Sequence, residues 1–469
     1  MPPQIQVAVI GAGISGLSCA HRLRQLGISA LVLESQEHGG GLVGTVERDS
    51  FRFESGPQSF LCTKPILELI RAVNIEPELL HSDPRAPRYI YKNKRLHAIP
   101  MSPPAVLASS LLSLGSRYRI ISEPFRRTMP QSREESVADF VRRKFGHEIL
   151  EYLVAPFVSG VYAGDPEILS LKSAFPSLDE WEREHGSVIR GAMNARKAAP
   201  GPRPSLCSFR GGMKTLPEAL ARSLDSAFVP GVRTDSIERN VTDSGLTIRF
   251  MRGGQREELK VQAVVVATPA YVSGHIIEGL SPNLAKSLLG IPYAPVAVVA
   301  HGYKRRQVAN SLIGFGVLIP RKEGLRTLGT VWNSSLFPGC TPSGSVLITS
   351  FVGGATDTEI VHADPDEIST TVEEEISGIL EISGVPVAKQ VWRYERGLPQ
   401  YNLGHAHILE NISAELANLP GLFLTGNYWI GPALGNCVEA GARAAESAQS
   451  YLSGKTSSTD AQSSIPAVS

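Results

Sequence analysis

An α/β fold is predicted by three features close to the N-terminus of this 469-residue chain. A short apolar run, Val7 to Ile10, leads into Gly11, Gly13 and Gly16 in GxGxxG spacing. The following LSCAHRLRQLG reads as a helix that stops at Gly27, a residue type suited to ending one. A second apolar run, SALVLE, ends at Glu34. Strand, glycine turn, helix, strand and terminal acid in this register describe a Rossmann-like dinucleotide fold. The run Gly11, Ala12, Gly13, Ile14, Ser15 and Gly16 opens the helix, where unpaired N–H groups and the helix dipole favour a pyrophosphate. Glu34 suits a ribose diol and would repel a 2′-phosphate.

The next element is a second glycine cluster, HGGGLVGT, at residues 38 to 45. Gly39, Gly40 and Gly41 carry no Cβ and permit another close backbone approach, as a pyrophosphate running on toward a large flavin ring requires. That points to FAD rather than NAD, the alternative being a flexible surface turn. No second GxGxxG follows a strand, so no separate nicotinamide domain is expected. Electrons would then enter from the substrate and leave to a small acceptor.

Global composition narrows the partners. Lys+Arg 46 against Asp+Glu 45 gives a net charge of +1, which gives no sign of a nucleic-acid footprint or an acidic partner. With 42% hydrophobic residues the chain is long enough for two or three domains. Cys19, Cys62, Cys207, Cys340 and Cys437 are scattered without CxxC spacing, which suits a reducing compartment without disulfides or zinc. MPPQIQ has no charged leader region and no apolar run reaches about 18 residues, so neither a signal peptide nor a membrane span is expected. MSPPAVLASSLLSLGSRYRIISEPF, residues 101 to 125, either lies on a bilayer surface or forms a partly buried helix pair. His405 and His407 form HxH with no completing ligand, and a loop histidine is the expectation. The acidic stretch 357 to 375 reads as the solvated face of a helix.

Further segments carry a family resemblance: ESGPQSFL at 54 to 61, APFVSGVYAGDPEILSLKSAFPSL at 155 to 178, SFRGGMKTLPEAL at 208 to 220, VVVATPA at 264 to 270 and GLFLTGNYWIGPALGNCVEAGARAA at 421 to 445. With GFGVLIP, TLGTVWN and SFVGG they resemble the protoporphyrinogen oxidase family, from about residue 5 to 452. The resemblance implies FAD held by Gly11 through Gly16, Glu34, Ser35, Gly41, Leu42 and the loop Gly56, Pro57, Gln58, Ser59. It adds the backbone of Val232 on the adenine side. At the flavin ring it implies Asn427, Pro432, Ala433 and Leu434, ahead of a helix starting near Asn436. It implies Arg88 as the partner of a substrate propionate, with a solvated surface arginine as the rival reading. Leu318, Val331 and Phe351 would sandwich the macrocycle, and Gly160 would let it approach the backbone, a plain turn being the rival. No catalytic acid or base and no metal is assigned. His38 and Leu42 depart from the RxGGR pattern common among relatives and leave less positive charge near the pyrophosphate.

The expected architecture is a discontinuous Rossmann-like FAD-binding domain at 1–83, 206–275 and 413–452, with a mixed-sheet substrate domain at 84–100, 189–205 and 276–412. A mainly helical membrane-associating lobe takes 101–188, and 453–469 form a disordered tail. The expected activity is oxygen-dependent oxidation of protoporphyrinogen IX to protoporphyrin IX, with hydrogen peroxide as co-product, in haem biosynthesis. Coproporphyrinogen III oxidation, another flavin amine oxidase-like reaction, or a flavin-free carrier of prenylated GTPases remain alternatives. A cytoplasmic protein on a membrane surface is expected, with a homodimer possible because dimers are common among the resembled proteins.

Overall fold

The computed structural model describes residues 5–126, 133–198, 205–240 and 245–454. Most of the C-terminal tail, from residue 455, and residues 199–204 of the expected substrate domain lie outside the described residues.

Five strands form one parallel sheet in the spatial order Phe228–Val229, Ala30–Leu33, Val7–Ile10, Ala263–Val266 and Leu422–Leu424. Val7–Ile10 and Ala263–Val266 are buried along their whole length, which is why both read as unbroken apolar runs rather than alternating ones. One face is covered by the helix Ile14–Gln25, the helix Thr215–Leu224 and the C-terminal helix Leu434–Leu452, around Leu17, Leu23, Leu216 and Leu220. A Cβ on Gly441 would lie 2.2 Å from the Ser15 carbonyl oxygen, so this glycine lets the first and last helices touch. The other face packs on an antiparallel meander, Val232–Arg239, Leu246–Arg252 and Gln255–Val261, and on helices carrying Ile276, Leu288 and Ile412. Truncating a side chain as deeply buried as Leu17 would cost about 2–5 kcal/mol.

A second, seven-stranded sheet runs in the order Ala388–Pro399, Tyr293–Lys304, Ser345–Gly353, Thr327–Val331, Gly316–Leu318, Arg88–Lys92 and Arg95–Ala98. All its pairs are antiparallel except Gly316–Leu318 with Arg88–Lys92. Alternation divides its side chains. Val299, Val317, Ile348 and Val352 meet Ile368, Val372 and Ile376 of the helix Pro365–Leu380. The acidic stretch thus lies on the helix only from Pro365 onward, on the side away from this core, whereas Asp357 precedes it and pairs with Arg326 at 2.7 Å. Ile90, Leu318, Val331 and Phe351 alternate to the opposite face.

Between residues 103 and 198 every described element is a helix. Phe140, Val141, Leu150, Tyr152, Val158 and Tyr162 form the core of this lobe, which reaches the second sheet at Ile90 and Leu318. Within it lies a buried ionic network. Lys144 Nζ is 2.8 Å from Glu182 and 3.5 Å from Glu123, and Arg143 pairs with Glu182 at 2.8 Å and Glu135 at 2.7 Å. Glu123 also accepts the Ser187 hydroxyl at 2.6 Å and the Val188 N–H at 3.0 Å. Each charge is thus paired and hydrogen-bonded, and removing one partner would cost about 3–5 kcal/mol.

Candidate cofactor and substrate site

The nucleotide end is built from backbone. Gly13 caps the helix Ile14–Gln25 without a side-chain hydrogen bond, and the first turn carries no acid, so its N–H groups are left for an anionic ligand. A Cβ on Gly16 would lie 1.9 Å from the Gly11 carbonyl oxygen, whereas one on Gly13 would meet nothing within 4 Å. Gly16 therefore closes the turn and Gly13 opens onto free space. Glu34 is buried at the end of its strand, accepting the Ala12 N–H at 2.7 Å, the Gln36 N–H at 2.8 Å and the Ser35 hydroxyl at 3.1 Å. It braces the glycine turn, a role that sequence reasoning had not given it.

The second glycine cluster is not a free surface turn. Gly40 donates its N–H to the Ala12 carbonyl at 2.7 Å and forms a bridge with Gly13. Gly41, at φ +62, would place a Cβ 3.4 Å from the Gly13 Cα. The triple glycine thus seats one loop directly on the other, with Leu42 and His38 exposed beside it. Val232 is buried, and its N–H donates to the Glu34 carbonyl at 2.7 Å.

The loop 55–59 runs between the short strands Phe51–Glu54 and Phe60–Leu61 and is hydrogen-bonded to the second sheet and to the short helix Asn333–Leu336 that follows its strand Thr327–Val331. A Cβ on Gly56 would lie 2.2 Å from the Leu42 carbonyl oxygen. Pro57 and Ser59 are half-buried, while Gln58 is buried and donates to the Gly56 carbonyl at 2.8 Å. Its Oε1 accepts from Asn333 Nδ2 at 2.7 Å, and Tyr394 donates its hydroxyl to the Ser55 carbonyl at 2.9 Å. Just upstream, Glu54 accepts the Thr45 hydroxyl at 2.6 Å and the Met213 N–H at 3.1 Å. Burial, outweighing these hydrogen bonds, pushes its carboxyl up to about 7.

At the far end, Asn427 and Pro432 are half-buried and Ala433 is exposed. Ala433 caps the C-terminal helix, which starts at Leu434, two residues before Asn436.

Arg88, Ile90, Leu318, Val331 and Phe351 share one face of the second sheet. Gly316 pairs with both Arg88 and Val331, and Leu318 with Ile90 and Gly329, which in turn pairs with Phe351. Gly160 meets this face from the helix Ala155–Tyr162, since its Cβ would lie 2.7 Å from Leu318 Cδ2. It is a helix-interior glycine, so the turn reading is wrong. Arg88 is exposed, its guanidinium 5.4 Å from the Phe315 ring centroid, and among the described residues it has no carboxylate partner. The face therefore offers apolar walls and a cation at one end.

His405 is buried as the first residue of the helix His405–Ala417, and not in a loop, whereas His407 is exposed beside Glu410. The two imidazoles do not converge, and among the described residues no group of three His, Cys, Asp or Glu could hold a metal ion.

A parallel sheet with a glycine-lined helix N-terminus that no side chain caps, beside a second sheet with an apolar face, defines a flavin-dependent oxidase architecture, and the Gly11–Gly16 turn fits the pyrophosphate of FAD. Residues 14–448 match the family of flavin containing amine oxidoreductases. The chain is 33% identical to protoporphyrinogen oxidase 1, chloroplastic, of Arabidopsis thaliana, across 95% of this chain and 88% of that one. It is 27% identical to coproporphyrinogen III oxidase of Bacillus subtilis, across 95% and 98%. Among solved structures, cyclohexylamine oxidase from Brevibacterium oxydans overlays with a TM-score of 0.69 at 18% identity, covering 96% of this chain and 100% of that one. The chain belongs to the flavin containing amine oxidoreductase family, on its protoporphyrinogen oxidase branch. It is an FAD-dependent oxidoreductase.

Proposed function

We propose that this chain oxidises protoporphyrinogen IX to protoporphyrin IX, with dioxygen as acceptor and hydrogen peroxide as co-product, in haem biosynthesis. The observation that carries the reading is the shared sheet face of Arg88, Leu318, Val331 and Phe351 opposite Gly160, beside the loop 55–59. A porphyrinogen is a broad apolar macrocycle with propionates on one edge, and apolar walls with a terminal guanidinium suit it. In this reading the parallel sheet is a Rossmann-like domain that holds FAD through the Gly11–Gly16 turn, Glu34, Ser35, Gly41, Leu42, Gly56–Ser59, Val232, Asn427 and Pro432–Leu434.

Bound FAD supplies a two-electron acceptor that dioxygen can regenerate. The chain's own task is orientation. Arg88 fixes a propionate, Leu318, Val331 and Phe351 exclude water from the macrocycle, and Gly160 lets Leu318 settle against the helix, which sets the depth of that wall. Tyr162, whose phenol burial pushes up to about 12, stays protonated and is no base. Proton release from the pyrrole nitrogens therefore needs no strongly basic side chain, because charge is spread over the macrocycle.

Coproporphyrinogen III, the substrate named for the Bacillus subtilis relative, is the second reading. Its four carboxylates would call for more cations than Arg88 on this face. Peripheral membrane contact is part of the proposal. Leu114, Tyr118 and Phe125 are 79%, 72% and 86% exposed beside Arg117, Arg119 and Arg126, an amphipathic surface suited to a bilayer interface. No helix among the described residues is long and apolar enough to cross a membrane. The test is aerobic turnover of the holoenzyme with protoporphyrinogen IX, followed by porphyrin fluorescence, with sedimentation on lipid vesicles for the membrane surface.

A further inference from the structure

The segment LPQYNLGH, residues 398 to 405, ties the 427–428 end of the cofactor loop to the helix that carries Gly160. Gln400 donates from Nε2 to the Tyr162 carbonyl at 2.8 Å, at the end of the helix that carries Gly160. The Tyr401 carbonyl accepts the Ser170 N–H at 2.9 Å, and the Gln400 N–H donates to the Pro292 carbonyl at 2.8 Å. On the other side, the Tyr401 hydroxyl donates to the Asn427 carbonyl, and His405 Nε2 lies 3.1 Å from the Tyr428 carbonyl. Tyr401, His405 and Tyr428 are each no more than 2% exposed, and the Tyr401 and His405 rings meet edge-on at 4.8 Å.

We infer that Tyr401 and His405 are positioning residues that set the loop 427–434 against the cofactor, and that Gln400 ties the same segment to the Gly160 helix. Carbonyls 427 and 428 are adjacent, and both are held from one rigid turn that is itself fixed to the helical lobe and the second sheet. Two consecutive peptide planes pinned in this way fix the direction in which the chain leaves toward Pro432 and Ala433. His405 can donate to the Tyr428 carbonyl only from a protonated Nε2, and burial keeps the ring in a single neutral tautomer with Nδ1 bare. Tyr401, its phenol raised well above the ordinary range by burial, likewise stays a donor. The segment therefore couples the spacing of the cofactor loop to that of the helix facing the substrate.

This inference rests on the reading that loop 427–434 faces FAD. The test compares holoenzyme variants Tyr401→Phe, His405→Ala and His405→Gln by three readouts: FAD dissociation followed by flavin fluorescence, visible circular dichroism of the bound flavin, and melting temperature. Tyr401→Phe and His405→Ala should weaken FAD retention about three- to tenfold, as loss of one hydrogen bond implies, and change the flavin dichroism. His405→Gln, whose carboxamide can donate to the same carbonyl, should restore both. Wild-type dissociation and dichroism in Tyr401→Phe and His405→Ala would overturn the inference while leaving the FAD reading intact. So would a His405→Gln no better than His405→Ala. A wild-type protein that binds no FAD would overturn the underlying reading and the inference with it.

Discussion

Arg88→Ala probes the substrate end most sharply. The guanidinium stacks 5.4 Å from the Phe315 centroid and has no carboxylate partner among the described residues, so it is held in place with its charge unspent. A charge-assisted hydrogen bond to a propionate is worth about 1.5–3 kcal/mol, and because Arg88 is exposed, solvent screening reduces this toward the lower limit. About 1.4 kcal/mol corresponds to a tenfold change. KM for protoporphyrinogen should therefore rise about tenfold, kcat should fall less, and the melting temperature should not move, because no buried contact is lost. Steady-state assays of porphyrin fluorescence at low and high salt check this. The wild-type KM should climb toward the variant's as salt is added, because the pair is partly exposed. Arg88→Lys should recover only part of the loss, since an ammonium lacks the two-pronged geometry. A KM unchanged by Arg88→Ala at low salt would remove this residue from the propionate site.

Three further outcomes are expected. Gly160→Ala places a methyl 2.7 Å from Leu318 Cδ2; because alanine favours a helix by up to about 1 kcal/mol over glycine, stability should change little while kcat/KM falls, and equal losses in both would refute the pocket assignment. Gly16→Ala forces a Cβ to 1.9 Å from a backbone oxygen that cannot move away; it should cost at least about 2 kcal/mol and abolish FAD retention, as thermal melts and flavin absorbance would report. Glu54, whose folded-state carboxyl is raised to about 7 from an ordinary 4.5, makes the native state hold a proton that the unfolded chain releases. Its contribution is thus fully present below 4.5, is lost as pH rises to about 7 and is constant above. Glu54→Gln should flatten this part of the stability-versus-pH curve, and an unaltered slope between those limits would show that Glu54 is not its source.

The cofactor half was legible because its chemistry is written locally. Val7 to Glu34 combines strand, turn and helix signals within one βαβ unit, and each signal has a short-range cause: buried apolar runs, glycines at close approaches and a helix stop at Gly27. The substrate face was not legible from periodicity. Leu318, Val331 and Phe351 read as ordinary strand core, and only the register of three successive strands puts them on one face; the family resemblance, not the pattern, had marked them. Glu34 could be assigned a ligand role but not its bond to the Ala12 N–H, because nothing in the spacing gives the side-chain direction. Tyr401 and His405 were missed as a pair for the same reason. Their partners are the carbonyls of Asn427 and Tyr428, and main-chain acceptors leave no mark in sequence.

The most direct test of the account is aerobic turnover by the yellow holoenzyme of protoporphyrinogen IX and, in parallel, coproporphyrinogen III, measured as the rate of porphyrin fluorescence. The account predicts the higher kcat/KM with protoporphyrinogen IX. A higher value with coproporphyrinogen III, or no turnover of either by a protein that retains FAD, would contradict it.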